Sequence, residues 1–291
     1  MKHAVLGAGA IGGLMGTALG FLGEDVTLIV RPEKLPGYPE KLSLEQPTCA
    51  ITASAHVVSK LTTPVDVLWI ATKTYQLESA LESVDATPGA VVPLLNGVDH
   101  IALLRSRFGP ERVVPATIAV EADRVAEGHF AQRSVLRLNV ATVGESLLGP
   151  LLARMTEKLG FACRFIPNEE TLLWSKMCFL APFALVTTAS RKNKGEVLAD
   201  AEWKARLDAA IAEAAAVATA SGAEVDTLPI QKILETLPAT ARSSMAKDLL
   251  AGRRLELDAI GGPIVRGGEK YGIPVPTTQK LMAIIQSQAP S

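Results

Sequence analysis

The first half of the chain alternates short, apolar, β-branched runs with helical stretches. The runs that predict strands cover residues 2–6, 25–30, 65–72, 90–95, 113–120, 134–144 and 161–166, and the first helix is predicted over residues 12–22. Continuous apolar strands separated by helices are typical of a parallel sheet that is covered on both faces. The pattern therefore predicts an α/β domain with a doubly wound, Rossmann-type sheet over residues 1–167.

The second half is patterned as helices only. Its predicted helices cover residues 169–190, 201–221, 228–237, 243–254, 255–271 and 277–287. The change of pattern falls at Ile166-Pro167-Asn168, a sequence that interrupts regular structure. We therefore predict a second, all-helical domain over residues 168–291.

Composition excludes several classes of protein. Apolar residues make up 48% of the 291 residues, which is too many for a disordered chain. Lys and Arg total 29 against 30 Asp and Glu, so no overall field attracts nucleic acid or an anionic membrane. The three cysteines and four histidines are scattered and form neither a disulfide framework nor a metal-ligand spacing. These features predict a reduced, metal-free, cytoplasmic protein without nucleic-acid or membrane partners.

A glycine-rich motif, Gly7-Ala8-Gly9-Ala10-Ile11-Gly12, joins the first predicted strand to the first predicted helix. In dinucleotide-binding folds the first glycine allows a tight turn, the second lets a pyrophosphate approach the backbone, and the third lets the helix pack closely. The phosphates then lie at the positive end of the helix. We therefore predict that all six residues bind a dinucleotide, with a glycine-rich turn that binds no ligand as the alternative.

The same region permits a membrane interpretation. Residues 4–23 carry no charge, and Gly12, Gly16 and Gly20 have the spacing of a transmembrane helix dimer. Each glycine lowers helix propensity by about 1 kcal/mol, however, and seven of these twenty residues are glycine. The dinucleotide motif accounts for them better.

Arg31 predicts which dinucleotide is bound. An acidic residue about 20 positions beyond the motif accepts hydrogen bonds from the ribose of NAD. Arg31 stands there instead, and its planar guanidinium suits the 2′-phosphate of NADP. Lys73 and Gln76 follow a later predicted strand at the same sheet edge and are candidates for the same contact. For all three residues, a solvated surface position is the alternative.

Lys176 is the candidate catalytic residue, because it lies on an apolar face of a predicted helix. Its neighbours three and four residues away are Leu172, Leu173, Phe179 and Leu180. Burial disfavours an ammonium group and lowers its pKa, which suits a proton donor to a developing alkoxide. Glu256, a charge among apolar residues, is a candidate partner. The alternatives are a lysine whose amine reaches water and a glutamate on a helix surface.

An ordered series of motifs resembles the ketopantoate reductase (2-dehydropantoate 2-reductase) family along nearly the whole chain. The matching residues are 7–12, Arg31, Lys73, Gln76, 95–97, Trp174, Lys176, 195–196, 243–262 and 271–276. The resemblance implies NADPH-dependent reduction of a small 2-keto acid to a 2-hydroxy acid.

The resemblance also implies roles for individual residues. Lys176 would be the general acid, and Glu256 would support it and contact the substrate. Asn96 would lie beside the nicotinamide and the substrate, and Ser244 would bind the carboxylate. The resemblance leaves the oligomeric state open, with a homodimer as one possibility.

Three positions depart from the family pattern. Leu180, Ala184 and Lys194 stand where the family typically has asparagines, and the first two are predicted to line the substrate site. Loss of an amide that binds a hydroxyl weakens recognition by about 1–3 kcal/mol, and leucine favours an apolar group. We therefore expect a substrate more apolar than ketopantoate, or poor turnover of ketopantoate. Pro182, between the first two positions, is expected to kink the helix.

Two other functions remain open at the level of sequence. One is an opine-type or 3-hydroxyacid dehydrogenase, although the second half contains no histidine to serve as its catalytic base. The other is an NADP-binding regulator that does not turn over a substrate. Residues 32–59 show no pattern to which a role is assigned.

Overall fold

The protein folds into two compact units. The computed structural model describes residues 1–289, and of Leu228 and Pro229 it describes the backbone alone. Pro290 and Ser291, the end of the predicted second domain, lie outside the described residues. The first unit comprises Met1–Leu95 and His100–Pro167, and the second comprises Asn96–Asp99 and the chain from Asn168 onward. The short segment 96–99 therefore groups with the helical part of the chain, which its place in the sequence does not indicate.

The first unit is an α/β fold with three sheets. Its strands are β1 (Lys2–Leu6), β2 (Asp25–Ile29), β3 (Lys41–Glu45), β4 (Ala50–Ser54), β5 (His56–Val58), β6 (Val67–Ile70), β7 (Ala90–Pro93), β8 (Ala116–Ala119), β9 (Ala122–Ala126), β10 (His129–Gln132), β11 (Arg137–Ala141) and β12 (Ala162–Ile166). Its helices are α1 (Ala10–Phe21), α2 (Leu77–Leu81), α3 (His100–Phe108) and α4 (Glu145–Leu159).

The principal sheet has the order β5-β2-β1-β6-β7, and all its strands are parallel. This matches the first five positions, 3-2-1-4-5, of the Rossmann strand order 3-2-1-4-5-6. Leu6, the last residue of β1, pairs with Ile29 on one side and Ile70 on the other. The carboxyl ends of β1, β2 and β6 thus lie at one edge, where ligands of such sheets bind. The predicted Rossmann-type fold is confirmed.

A second sheet, β4-β3-β10-β9, was not predicted from the sequence. Half of it comes from residues 32–59, where only the alternation of β3 carried a signal: Leu42 and Leu44 are buried, and Lys41 and Glu45 are exposed. Helix α1 packs against strands of both this sheet and the principal one. The remaining sheet, β12-β11-β8, pairs β11 parallel to β12 and antiparallel to β8. Helices α2, α3 and α4 were also missed.

The glycines of α1 allow close packing with these strands. A Cβ atom on Gly13 would overlap the ring of Phe130. A Cβ on Gly16 would lie 2.7 Å from Leu28 Cδ2, and one on Gly20 would lie 2.8 Å from Ala53 Cβ. The spacing that resembles a transmembrane dimer motif therefore belongs to a helix buried between two sheets.

The second unit is built from helices. They are α5 (Glu169–Ala189), α6 (Lys194–Ala199), α7 (Ala201–Ala220), α8 (Leu228–Thr236), α9 (Ser244–Leu250), α10 (Leu257–Tyr271) and α11 (Pro276–Gln288). Among the described residues, α5 alone is long and apolar enough to cross a membrane, but 78% of its apolar window is buried inside the structure. It packs against α7, α9, α10 and α11, as the central helix of a core does. It continues without interruption through Pro182, and the expected kink there stays a prediction.

Glu213 of α7 fastens the start of α11. Its two carboxylate oxygens accept hydrogen bonds from the backbone N–H groups of Thr277 and Thr278, both at 2.8 Å, and from the Thr278 hydroxyl at 2.7 Å. Glu213→Ala leaves these partly buried donors without their acceptor, so we expect the free energy of unfolding to fall by about 2 kcal/mol. Denaturant titration measures it. Glu202→Ala, an exposed glutamate of the same helix, should change it by about 0.5 kcal/mol or less, and equal losses in the two variants would contradict this role.

Candidate active site

Helix α5 carries Lys176 on its third turn. Asn168 caps the start of the helix, and its side-chain oxygen accepts a hydrogen bond from the Thr171 backbone N–H at 2.8 Å. Such a cap fixes where a helix begins. The side chains of Leu172 and Leu173 are buried in the following turn, whereas Lys176 is half-buried. The apolar face predicted from the sequence is therefore present, and the lysine lies at its border.

The ammonium group of Lys176 meets two polar side chains of the same unit. Lys176 Nζ donates a hydrogen bond to Asn96 Oδ1 at 2.9 Å, and Asn96 Nδ2 donates to Glu256 Oε2 at 3.4 Å. Glu256 is 6% exposed and immediately precedes α10, which excludes the alternative of a surface helix charge. The structure thus brings together three residues that the sequence predicted for the site.

Burial governs the acidity of the lysine. Removal from water lowers the pKa of Lys176 to about 8, although the negative charge of Glu256 acts in the opposite direction. An ammonium group with this pKa donates a proton far more readily than an exposed lysine, and it remains largely protonated at neutral pH. The arrangement suits a general acid.

Asn96 reaches this position because of the glycine that follows it. Gly97 has φ +90°, and a Cβ atom there would lie 2.5 Å from the carbonyl oxygen of Ala259, in the first turn of α10. Only glycine allows the segment 96–99 to approach the helix so closely. The match of residues 95–97 to a motif drew attention to this segment, but nothing in the local sequence indicated its contact with α10.

The other predicted substrate residues lie along α5 and at the start of α9. Leu180, one turn beyond Lys176, is half-buried, and the neighbouring rings of Phe179 and Phe183 stack at a centroid distance of 5.5 Å. Ala184 is 0% exposed in the core of the second unit. It therefore presents no surface to a substrate, which corrects the prediction for that residue.

Ser244 is exposed as the first residue of α9, but its neighbour has the structural role. The Ser243 hydroxyl accepts a hydrogen bond from the Ala246 backbone N–H at 3.1 Å and lies 3.0 Å from the Thr187 hydroxyl of α5. Sequence analysis missed Ser243, although a serine just before a helical run is a typical cap signal. Lys194 is nearly buried, and its Nζ donates to the carbonyl oxygen of Leu237 at 2.7 Å.

In the first unit, the glycine motif forms the turn between β1 and α1. Gly7 has φ +96°, and a Cβ on Gly12 would overlap the Gly7 carbonyl oxygen. A Cβ on Gly9, the N-terminal cap of α1, would meet no protein atom within 4 Å. No side chain caps the helix, and its first turn holds no acidic residue. The turn therefore offers backbone N–H groups and open space to an anionic ligand. The other residues of the motif belong to the same turn: Ala8 lies between β1 and α1, and Ala10 and Ile11 begin α1.

Three polar residues follow the ends of β2 and β6, the two strands that flank β1. Arg31 lies just beyond β2, with its side chain 68% exposed, and its Nε is 3.5 Å from Glu33 Oε1. Lys73 and Gln76 lie beyond β6, at the start and end of a short 3-10 turn, and both are half-buried. This placement fits a phosphate-bearing dinucleotide.

Comparison with protein families shows to which family this chain belongs. The family described as "Ketopantoate reductase PanE/ApbA" matches residues 3–145, and "Ketopantoate reductase PanE/ApbA C terminal" matches residues 168–289. The chain belongs to the ketopantoate reductase family. A 2-dehydropantoate 2-reductase of Caulobacter vibrioides is 33% identical over 98% of both chains. The resemblance drawn from the motifs is confirmed, and the protein is an oxidoreductase of this family.

Solved structures of ketopantoate reductases share the whole architecture. One from Ralstonia eutropha superposes with a TM-score of 0.86 at 28% identity, over 99% of this chain and 98% of the other. A D-mandelate dehydrogenase in a ternary structure with NADH and anilino(oxo)acetate also has a TM-score of 0.86, at 25% identity and with the same coverage. The structures similar to this chain therefore include a protein named D-mandelate dehydrogenase as well as ketopantoate reductases.

Proposed function

We propose that this protein is an NADPH-dependent reductase that converts a small 2-keto acid to the corresponding 2-hydroxy acid. The observation that carries the proposal is the hydrogen bond from Lys176 to Asn96, beside the buried carboxylate of Glu256. We assign dinucleotide binding to residues 1–167 and substrate binding with catalysis to residues 168–291. Residues 96–99 join the second group.

Lys176 is the proton donor in this proposal. When bound, NADPH supplies the hydride that forms the new C–H bond at the keto carbon. The electron pair of the C=O π bond moves onto the oxygen, and Lys176 Nζ transfers its proton there, so that a hydroxyl group forms and a neutral amine remains. A cationic donor in a half-buried site stabilises this developing charge more than bulk water does. Solvent then returns the proton to the amine.

Asn96 and Glu256 prepare the lysine for this step. The Asn96 carbonyl oxygen accepts one ammonium hydrogen and so limits the directions in which Nζ points the others. Glu256 keeps the ammonium charged against the effect of burial. We assign Asn96 and Glu256 to substrate contact as well, together with Ser244 at the start of α9, and Asn96 also to the nicotinamide end of the cofactor.

Arg31 supports NADP(H) as the cofactor. Its exposed guanidinium lies at the sheet edge where the ribose of a dinucleotide binds in this fold. Lys73 and Gln76 lie beyond β6, on the other side of β1. The neighbouring Glu33 carboxylate favours a ribose hydroxyl instead, so the comparison of NADPH with NADH is part of the test below.

Leu180 supports a substrate with an apolar side group. It is half-buried one helical turn from the proton donor, beside the stacked rings of Phe179 and Phe183. Leucine offers no hydrogen bond to the hydroxyl of ketopantoate. The similarity to a structure named D-mandelate dehydrogenase agrees with a branched or aromatic 2-keto acid.

The experiment is a spectrophotometric screen of NADPH and NADH oxidation. Ketopantoate is compared with branched aliphatic 2-keto acids and with phenylglyoxylate, using wild type and Leu180→Asn. We expect wild type to prefer the apolar acids and NADPH. The variant should shift the kcat/KM ratio about tenfold or more toward ketopantoate, since one amide contact to a hydroxyl is worth about 1–3 kcal/mol.

Two outcomes of the screen would count against the proposal. A clear preference of wild type for ketopantoate would remove the substrate assignment while leaving the reaction intact. Tight NADPH binding without oxidation by any keto acid would instead favour an NADP-binding regulator.

A further inference from the structure

The segment 96–99 places Asn96 beside Lys176, and the structure shows how the segment is attached. The Asn96 side chain forms hydrogen bonds with Lys176 and Glu256. Gly97 lies against the Ala259 carbonyl oxygen. Because glycine has no side chain, it cannot anchor the segment to α10 through a side-chain hydrogen bond. An attachment at the far end of the segment, Asp99, is therefore important for its position.

Arg266 of α10 provides that attachment. Its Nη2 donates to Asp99 Oδ2 at 2.6 Å, and its Nη1 donates to Asp258 Oδ1 at 2.8 Å. Hydrogen bonds from the guanidinium to Asp258 and Asp99 raise the pKa of Arg266 further. One cation thus joins two carboxylates, one on the segment and one on the first turn of α10, two residues beyond Glu256.

A glycine makes room for this arrangement. Asp258, Gly262 and Arg266 follow one another at intervals of four residues, so they lie on one face of α10. A Cβ atom on Gly262 would overlap Arg266 Nη2 and lie 2.7 Å from both Arg266 Nη1 and Asp258 Oδ1. The guanidinium therefore lies flat on the helix over the missing side chain, pointing back toward the site.

We propose that Arg266 is a positioning residue: its guanidinium, lying over Gly262, joins Asp99 to Asp258 and so holds Asn96 within hydrogen-bond distance of Lys176 and Glu256. We name Asp99, Asp258, Gly262 and Arg266 the Arg266 clamp. This inference rests on the proposed function, because it concerns the proton donor assigned there.

The clamp acts on geometry more than on folding. Its charged side chains are exposed, from 48% for Arg266 to 82% for Asp258, and exposed ion pairs contribute little to stability. Without the guanidinium, however, two carboxylates that share one cation would repel each other. Asn96 would then move with its segment away from α10, and the Lys176 ammonium would lose a hydrogen-bond acceptor. Loss of an acceptor from the charged form lowers the pKa of a lysine.

Three variants test the clamp. Arg266→Met removes the cation, and Gly262→Ala displaces it while raising helix propensity. Lys270→Met is the matched control, since Lys270 is the next residue on the same face of α10 and contacts Tyr271 instead. The first readout is kcat and KM for keto acid reduction. The second is the pH dependence of Lys176 acetylation by trace acetic anhydride, followed by peptide mass spectrometry without cofactor or substrate.

We expect kcat to fall about tenfold in Arg266→Met and Gly262→Ala, because small misplacements of catalytic groups cost up to about 10²-fold. The midpoint of Lys176 acetylation should move to lower pH in both variants, while Lys270→Met behaves like wild type. The melting temperature of Gly262→Ala should not fall, which separates positioning from folding. An acetylation midpoint in Arg266→Met that is unchanged or higher would overturn the inference. The acetylation measurement needs no turnover, so it tests the Arg266 clamp even if wild type reduces no keto acid. That outcome would contradict the proposed function and not the clamp.

Discussion

Replacement of Lys176 by alanine is expected to lower kcat for keto acid reduction about 10³-fold, since a positioned proton donor contributes about 10²–10⁴. The Lys176 ammonium is the cation that the Asn96 oxygen orients and the Glu256 charge supports. Without it, a water molecule must protonate the developing alkoxide. The stopped-flow rate of NADPH oxidation under single-turnover conditions measures the chemical step, and NADPH binding should change little.

The same lysine predicts the pH dependence of the wild-type enzyme. The protonated form is the active one, so kcat/KM should be highest below the pKa of Lys176, about 8, and fall tenfold per pH unit above it. Lys176→Arg is the informative control, because an arginine stays charged throughout the range. Its residual activity should show no fall between pH 7 and pH 10. A wild-type profile that stays flat over this range would contradict the assignment of Lys176 as the acid.

Alanine at two glycines of the dinucleotide turn should separate folding from cofactor binding. In Gly12→Ala the new Cβ would overlap the Gly7 carbonyl oxygen. Helix α1 must then move away from β1, and we expect the free energy of unfolding to fall by about 3 kcal/mol. In Gly9→Ala the new Cβ enters space that no protein atom occupies within 4 Å, so the loss should be about 1 kcal/mol or less, the difference between glycine and alanine at a helix N-cap.

Gly9→Ala should nevertheless weaken NADPH binding, because a pyrophosphate approaches the backbone at the second glycine of this motif. We expect Kd to rise about 100-fold, equivalent to about 2.7 kcal/mol. Fluorescence titration with NADPH and thermal unfolding measure the two effects. Unchanged NADPH affinity in a folded Gly9→Ala variant would mean that the dinucleotide does not bind at this turn.

Features that depend on neighbouring residues were accessible from the sequence. The strand before the glycine motif, the helix after it and the central helix that carries Lys176 were all predicted, because apolar runs and the glycines that bound them are local features of the chain. The second sheet was missed in part because its strands are short. They are buried mainly where α1 covers them, and only β3 alternates clearly.

Contacts between distant residues were inaccessible to that reasoning. Ala184 follows the lysine at helical spacing and was expected to face a substrate, but the core of the second unit covers it completely. Ser243, rather than Ser244, makes the hydrogen bonds at the start of α9. For Ala184 the sequence indicated the right helix and not the direction in which the side chain points, whereas the role of Ser244 stays a prediction.

By itself, then, the sequence determined a Rossmann-type turn, an apolar helix bearing one lysine, and membership of a recognisable family. Only the tertiary structure decided that Asn96, Lys176 and Glu256 come together, that Gly97 lies against α10, and that Arg266 joins Asp99 to Asp258. The physical reason is that the local hydrophobic pattern reflects whether a residue is buried. It does not indicate which residue 80 or 160 positions away will be its partner.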